Sequence, residues 1–443
     1  MQLIGSGRVI TLNDDSPFIE DGCVAVDGDE IVDFGGTSSI KAKYPHAPFR
    51  DVEGRIIMPG FINAHTHIYS SFARGLSLPQ DKPNLTFGDI LKNMWWRIDK
   101  ALNEKDNLYS AYSTGLESVR CGVTTLFDHH ASQRHISGSL SAIERALDDI
   151  GLRGCLCYEV SDRDGMEAAR EGIEENVSFI DHAAKSADGR IKGMFGLHAS
   201  FTLSERTLEK CVAAMGGKNA GFHIHCAEGE EDLNDSLARY GKRVLERLND
   251  ARILGEKTLA IHNVHANSTE VDILKSTRTM AVHNPESNMS NAVGCAPALY
   301  MIENGILLGL GTDAYTQDML ESLKAANLIH KHENRNPSIG FMESIQMLLK
   351  NNALICSRFW SKPVGIIKKG ALADLIALEY TPHTPLNADT MYGHILFGLS
   401  GRCVDDVMIN GKYIMKSRVM ECIDEDAVLA KAREQSADFW HRV

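Results

Sequence analysis

Short apolar runs alternate with amphipathic stretches along most of this chain. From about residue 57 to 360 the runs are IMPGFINAHTH (57–67), GVTTLFDHH (122–130), GCLCYEV (154–160) and IKGMFGLHAS (191–200). Four more follow: GFHIHCAE (221–228), LAIHNVHA (259–266), MAVHNPES (280–287) and ILLGLGTDA (306–314). Such runs read as buried strands, and apolar residues recur at helical spacing between them. Leu108, Tyr112, Leu116 and Val119 precede the second run, and Leu140, Ile143, Leu147 and Ile150 follow it. Eight strand–helix units in succession predict an α/β fold of the (β/α)8, TIM-like barrel type over residues 58–366. A dinucleotide-binding sheet would need a Gly-rich fingerprint after its first strand, and none stands there; GLGTDA reads as a strand end.

The flanks have another texture. GRVITLNDD and CVAVDGDEIVDFGG near the start, and GALADLIALE, VDDVMINGKYIM and SRVMECI near the end, are short β-rich segments broken by turn residues. Neither end has enough strands to bury a core alone. The two are therefore expected to meet in a small β-sandwich, 1–57 with 367–443, which closes on a helix from DEDAVLAKAREQSADFWHRV. The segment RGLSLPQDKPNLTFGDILKNMWWRIDKAL (74–102) leaves the end of the first barrel strand, where barrel active sites are built, and so could cover a pocket. Trp95 and Trp96 either wall that pocket or pack the insertion onto the barrel.

Composition narrows the class of partner. Among 443 residues, 46 basic and 59 acidic side chains leave a formal charge of −13, which argues against a nucleic-acid or anionic-membrane surface. No apolar run approaches the roughly 20 residues that span a bilayer. The N-terminus lacks the basic and apolar regions of a signal peptide. Ten cysteines scattered without regular spacing suit reduced thiols. A cytoplasmic protein acting on a small molecule is expected, with neither nucleic acid nor membrane as partner.

The histidines carry the chemistry. In His65-Thr66-His67, side chains at i and i+2 share one face of a strand, with Cα atoms about 6.6 Å apart, so two imidazoles at the C-terminal end of the first barrel strand can converge on one cation. His225 and Glu228, His262, and Asp313 end three further strands. Imidazoles with a carboxylate form a site suited to Zn²⁺ or Fe²⁺, with one position left for water. His223 shares a face with His225, one layer deeper, and is read as an internal hydrogen-bonding residue. Of His129 and His130, adjacent in one strand, one must point out of the barrel. His283, Ser287 and Asn288 at the seventh strand either shape the pocket or stabilise a turn. Cys155 and Cys157 read as packing. Neither the H-x-E with P-C-x-x-C of zinc nucleobase deaminases nor H-E-x-x-H occurs; His332-Glu333 is followed by Asn334, Arg335 and Asn336.

As a set, PGFINAHTH, HIHCAE, HNPESNMSN and GLGTDA resemble the amidohydrolase superfamily, in its branch of cytosine, guanine and adenosine deaminases and triazine hydrolases. The resemblance extends along the whole chain, including the split β-rich ends. It implies His65, His67, His225 and Asp313 as ligands of one divalent transition metal, zinc or iron. It further implies Glu228 as general acid and base, and His262 as a contact of the water attacking the substrate. His198 aligns with a substrate-facing histidine, and Trp95 and Asn288 are the other expected substrate contacts. Binuclear relatives carry a carboxylated lysine at the end of strand four. Here that strand ends in His198, with Lys192 at its start, which favours one metal; Glu159 leaves a route to a second. The implied activity is hydrolysis of a C–N bond in a heterocyclic amine or amidine with loss of ammonia, by a homodimer. Dechlorination of a triazine, opening of a cyclic amide and a catalytically silent scaffold are the alternatives.

Overall fold

The computed structural model describes residues 1–79 and 82–443, so Gln80 and Asp81 of the insertion lie outside the described residues. Eight parallel staves alternate with helices. They run Phe61–Thr66, Val123–His130, Arg153–Tyr158, a fourth in two pieces (Ile191–Gly193 and Phe195–Ala199), Phe222–Cys226, Leu259–His262, Met280–His283 and Leu308–Leu310. Two parallel sheets result, one ending and the other beginning within the fourth stave. At that seam Met194 N donates to Leu156 O and His198 N to Val160 O, both at 3.0 Å. At the opposite seam Thr312 N and Asp313 N both donate to His65 O at 3.0 Å, and Thr66 bridges in parallel to Asp313. Here strand eight comes so close to strand one that a Cβ on Gly311 would stand 2.9 Å from the His65 backbone nitrogen.

The predicted amphipathic helices form as their spacing implies. Helix Glu104–Arg120 starts in a capping box between Asn103 and Asp106. Helix Ser139–Ile150 buries Leu140, Ile143, Leu147 and Ile150 against the staves. Inside the barrel, Phe127, Cys155, Cys157, Leu259 and Ile261 pack with Trp360, which makes the two cysteines packing residues.

Both chain ends contribute to one nine-stranded sheet. Its order is Val419–Met420, Lys412–Lys416, Val404–Ile409, Leu375–Leu378, Ile56–Pro59, Gln2–Ile10, Phe18–Asp27 and Glu30–Gly36, with Phe49–Asp51 beside Gln2–Ile10. Val9, Val24, Ile31, Ile57, Leu375 and Met408 form its own apolar core. The run 57–67 is thus two strands. Ile56–Pro59 pairs antiparallel with Leu375–Leu378, and the chain crosses to the barrel at Gly60, not between residues 57 and 58. Other runs are shorter as strands than expected. The seventh stops at His283 because Pro285 opens a helix, Pro285–Ser290, and the eighth stops at Leu310. The C-terminal helix, Glu425–Trp440, is N-capped by Asp424 and leans on the first βα loop, where Trp440 Nε1 donates to Phe72 O at 2.7 Å.

A buried ion pair ties the barrel to this sheet. Arg153, on stave three, donates through Nε to Asp374 Oδ2 at 2.8 Å, and each side chain is 1% exposed. Asp374→Ala leaves the guanidinium buried without its partner, and an unfolding free energy lower by about 3–5 kcal/mol is expected in denaturant titration. A loss under about 1 kcal/mol would mean that water reaches Arg153.

No helix among the described residues is long and apolar enough to cross a membrane.

Candidate metal centre

Four imidazoles meet at the C-terminal mouth of the barrel, each held from behind through its Nδ1. His67 Nδ1 donates to His129 O (2.6 Å) and His225 Nδ1 to His198 O (2.8 Å). His262 Nδ1 donates to the Asn288 side-chain oxygen at 2.8 Å, and His65 Nδ1 lies 2.9 Å from His223 Nε2. Because carbonyl oxygens only accept, the contacts of His67, His225 and His262 place the ring proton on Nδ1 and turn their Nε2 lone pairs inward, the arrangement that orients metal-ligating histidines. His67 Nε2 is 3.2 Å from His225 Nε2 and 3.2 Å from Asp313 Oδ1, and His65 Nε2 is 3.8 Å from the same oxygen. Asp313 is itself fixed: Ser287 Oγ donates to Oδ2 at 2.6 Å and Ala314 N to Oδ1 at 2.7 Å. His262 Nε2 stands 3.5 Å from Glu228 Oε2 and 3.6 Å from Asp313 Oδ2.

Backbone conformation aims several of these groups. Ala227, His262, Asn263 and Asp313 all have left-handed φ, 46°, 68°, 54° and 56°. For side chains other than Asn and Asp such geometry costs on the order of 1–3 kcal/mol and collects at functional sites. Strand register pairs His262 with Cys226, whose side chain points out of the barrel into the helix-facing core. Regular alternation would send His262 the same way; the left-handed turn carries its ring over the barrel mouth instead.

The charges are strongly coupled. Burial opposes the charged form of His67, but its hydrogen bond to Asp313 and the nearby carboxylates outweigh that and push its pKa up to about 9. Burial would raise Asp313, yet His67 holds it well below the ordinary carboxylate range. Burial, with Asp313 nearby, pushes Glu228 well above its usual value. Burial raises Glu159 to about 7 against the pull of His67 and Arg163. One proton on His67 can satisfy Asp313 and His225, but His65 Nε2 and His262 Nε2 still have no hydrogen-bond partner. Buried lone pairs left this way cost free energy; a divalent cation among His65, His67, His225 and Asp313 would remove that cost at His65, while His262 Nε2 faces Glu228 and Asp313 beside it. The donor set therefore fits a metal ion, and its nitrogen and oxygen chemistry suits zinc or iron.

A pocket opens above these groups, lined by His67, His225, Glu228, Asp313, Glu159 and His198. The insertion forms one wall through Phe87, Leu91, Trp95, Trp96 and Asp99, in a helical stretch with a π-turn at Leu91–Trp95. Both tryptophans face the pocket, and Trp95 also meets Tyr69 edge-on at 6.4 Å. Asn288 does not line it: its Oδ1 stands behind His262, and Asn291, one helical turn further, faces the cavity and reaches Glu228 Oε1 at 3.4 Å. His283 points away from the barrel to meet His330, while Ser287 reaches Asp313. Of the adjacent pair on strand two, His129 enters the histidine cluster, whereas His130 turns outward to Ser132 Oγ. His223 lies beneath His65. Lys192 is at the far end of its stave.

Sequence reasoning missed Asp99 and Arg163. Arg163 donates to Asp99 Oδ2 at 2.8 Å and lies 4.9 Å from the centre of the Trp96 ring, so the pair backs the aromatic wall. Asp99 falls one helical turn after Trp95 and Trp96, which is the one signal that could have found it.

A cage of inward-facing imidazoles and carboxylates at the strand ends of a (β/α)8 barrel defines a class of metal-assisted barrel enzymes. Residues 56–414 match the amidohydrolase family, and the chain belongs to it. It is 31% identical over 444 residues to a 5-methylthioadenosine/S-adenosylhomocysteine deaminase of Pelotomaculum thermopropionicum, covering 98% of each chain. It is 30% identical over 390 residues to a 5'-deoxyadenosine deaminase of Methanobrevibacter smithii, covering 87% of this chain and 86% of that one. In fold it resembles a zinc-bound adenosine deaminase from Xanthomonas campestris, with a TM-score of 0.88, 22% identity and coverage of 100% and 99%. A zinc-complexed atrazine chlorohydrolase from Arthrobacter aurescens shares the fold at a TM-score of 0.84, 21% identity and coverage of 98% and 100%.

Proposed function

We propose that this amidohydrolase removes the amino group of a purine nucleoside modified at its 5' position, releasing ammonia. One observation carries the reading: Glu228 and Asp313 flank His262 Nε2 at 3.5 and 3.6 Å, on the floor of a pocket walled by flat aromatic rings. The full-length likeness to deaminases of adenosine derivatives supports the substrate class. His65, His67, His225 and Asp313 would hold a single zinc or iron ion. When bound, such an ion lowers the pKa of a coordinated water from 15.7 towards about 7.

The chain's own residues do the rest. Asp313 Oδ2, steadied by Ser287, and His262 Nε2 orient the water towards the ring carbon that bears the amino group. The Glu228 carboxylate accepts a proton from that water and delivers it to the adjacent ring nitrogen, which removes the C=N character. A second proton transfer leaves the amino group as ammonia and the ring carbon as a carbonyl, so one water is consumed per ammonia released. Trp95, Trp96 and His198 hold the heterocycle, with Asn291 in the place expected of Asn288. Organisation as barrel and terminal β-sandwich, in a homodimer of the reducing cytoplasm, belongs to the same reading. The separate core of the terminal sheet and ten free thiols support it.

The test is ammonia release by zinc- or iron-loaded protein from 5'-deoxyadenosine, 5-methylthioadenosine and S-adenosylhomocysteine. A chlorinated triazine and a cyclic amide serve as controls. Ammonia with an equal amount of the 6-oxo product is expected from at least one nucleoside. Turnover of a control alone would overturn the reading.

A further inference from the structure

Glu159, just past the third stave, is a pocket carboxylate that the reaction above leaves unused. It lines the cavity and is only 3% exposed. The imidazole nitrogens around it are His129 Nδ1 at 3.4 Å, His67 Nδ1 at 3.5 Å and His198 Nε2 at 3.9 Å. An N–H···O bond closes to about 2.7–3.2 Å, so none of them donates to the carboxylate. Two have no proton to give. His67 Nδ1 spends its proton on His129 O at 2.6 Å. Thr202 Oγ1 donates to Ala199 O at 3.0 Å, so it accepts from His198 Nδ1, 2.8 Å away. A neutral His198 then turns a bare lone pair on Nε2 towards Glu159. Glu159 Oε2 and His198 Nε2 are thus two acceptors that face one another across a gap, both on the pocket wall.

Charge points the same way. None of the described residues lining the pocket is lysine or arginine. The other carboxylates there each accept a hydrogen bond: Asp313 from Ser287, Glu228 from Asn291, Asp99 from Arg163, Glu231 from Gly88 N and Asp232 from Ala227 N. Only Glu159 accepts none, and a buried carboxylate in that state costs free energy until a donor reaches it. His67 stands between Glu159 and the cage, with Nδ1 towards Glu159 and Nε2 towards Asp313. The donor that completes Glu159 therefore comes from a part of the substrate other than the amino group being lost.

We propose that Glu159 determines specificity: with His198 it binds a second nitrogen donor of the substrate, an amino or ammonium group that is not hydrolysed. One nitrogen bearing two hydrogens can donate to both acceptors, and a protonated amine also brings the positive charge that the wall lacks. On a purine nucleoside such a group can stand at C2 of the ring or on the 5' carbon. A substrate with hydrogen or methyl at both places leaves the two acceptors unsatisfied and is disfavoured. The proposal rests on the reading that this pocket deaminates nucleosides.

The experiment is ammonia release by metal-loaded, full-length protein from 5'-deoxyadenosine, its 2-amino derivative and 5'-amino-5'-deoxyadenosine. For one of the two amino compounds kcat/KM should exceed that for 5'-deoxyadenosine by about tenfold or more, the scale of a hydrogen bond to a charged group. Which one it is tells whether the donor sits on the ring or the sugar. In Glu159→Gln the preference should disappear, because the charge is gone and the new amide can itself donate to His198 and fill the gap. Metal content and circular dichroism check that variant, and the wild-type ratio is read without it. An equal or lower kcat/KM for both amino compounds in the wild type overturns the role of Glu159. So does a preference that survives in a folded Glu159→Gln, since it would then come from the general negative charge of the molecule. Ammonia from none of the three compounds also overturns this proposal. Ammonia from no nucleoside at all, 5-methylthioadenosine and S-adenosylhomocysteine included, overturns the deaminase reading with it.

Discussion

Replacing Glu228 by Gln is expected to lower turnover by about 10²–10⁴-fold while the bound cation stays. The amide has the size of the carboxylate and can keep the contact with Asn291, so the pocket should hold its shape. What it loses is the ability to accept a proton from water and pass it on. Glu228 lines the pocket with its Oε2 3.5 Å from His262 Nε2, where the proposed proton carrier must stand. Steady-state kinetics on the best nucleoside, with metal content measured on the same sample, checks both halves. Near-normal kcat in a metal-replete variant would remove Glu228 from the reaction.

His67→Asn should abolish both activity and tight metal binding. His67 Nε2 is within 3.2 Å of both His225 Nε2 and Asp313 Oδ1, so its loss breaks two of the closest contacts in the cage. A ligand present at a thousandfold excess over its Kd stabilises the folded state by about 4 kcal/mol. The wild type should therefore unfold at a clearly lower temperature with a chelator than without, and the variant should melt at one temperature in both. A variant that retains stoichiometric metal would show that His67 is dispensable as a ligand.

Much of this was legible in local pattern. The runs at 122–130 and 154–160 became staves two and three, and the helical spacing of Leu140, Ile143, Leu147 and Ile150 became the buried face of a helix. The two-residue spacing of His65 and His67 signalled a shared site because both fall at a strand end. Asn288 was misjudged because the strand that was to carry it ends at His283, where Pro285 starts a helix; a helical period then selects Asn291 for the cavity. The crossing at Gly60 was hidden because the strands on both sides of it are equally apolar. Arg163 gave no signal, since a loop arginine acquires its meaning from Asp99 and Trp96, which come from a distant insertion.

From sequence alone the order of staves and helices and an inventory of candidate metal-binding side chains could be read, since both are properties of neighbouring residues. Only the tertiary structure decided where those side chains aim. The left-handed turn at His262 reverses the direction that strand alternation would assign it. The approach of strand eight to strand one brings Asp313 into reach of His67. Glu159 and His129 meet His225 because three staves converge at the barrel mouth. Such convergence depends on how a sheet closes, and closure is a property of contacts between residues far apart in the chain.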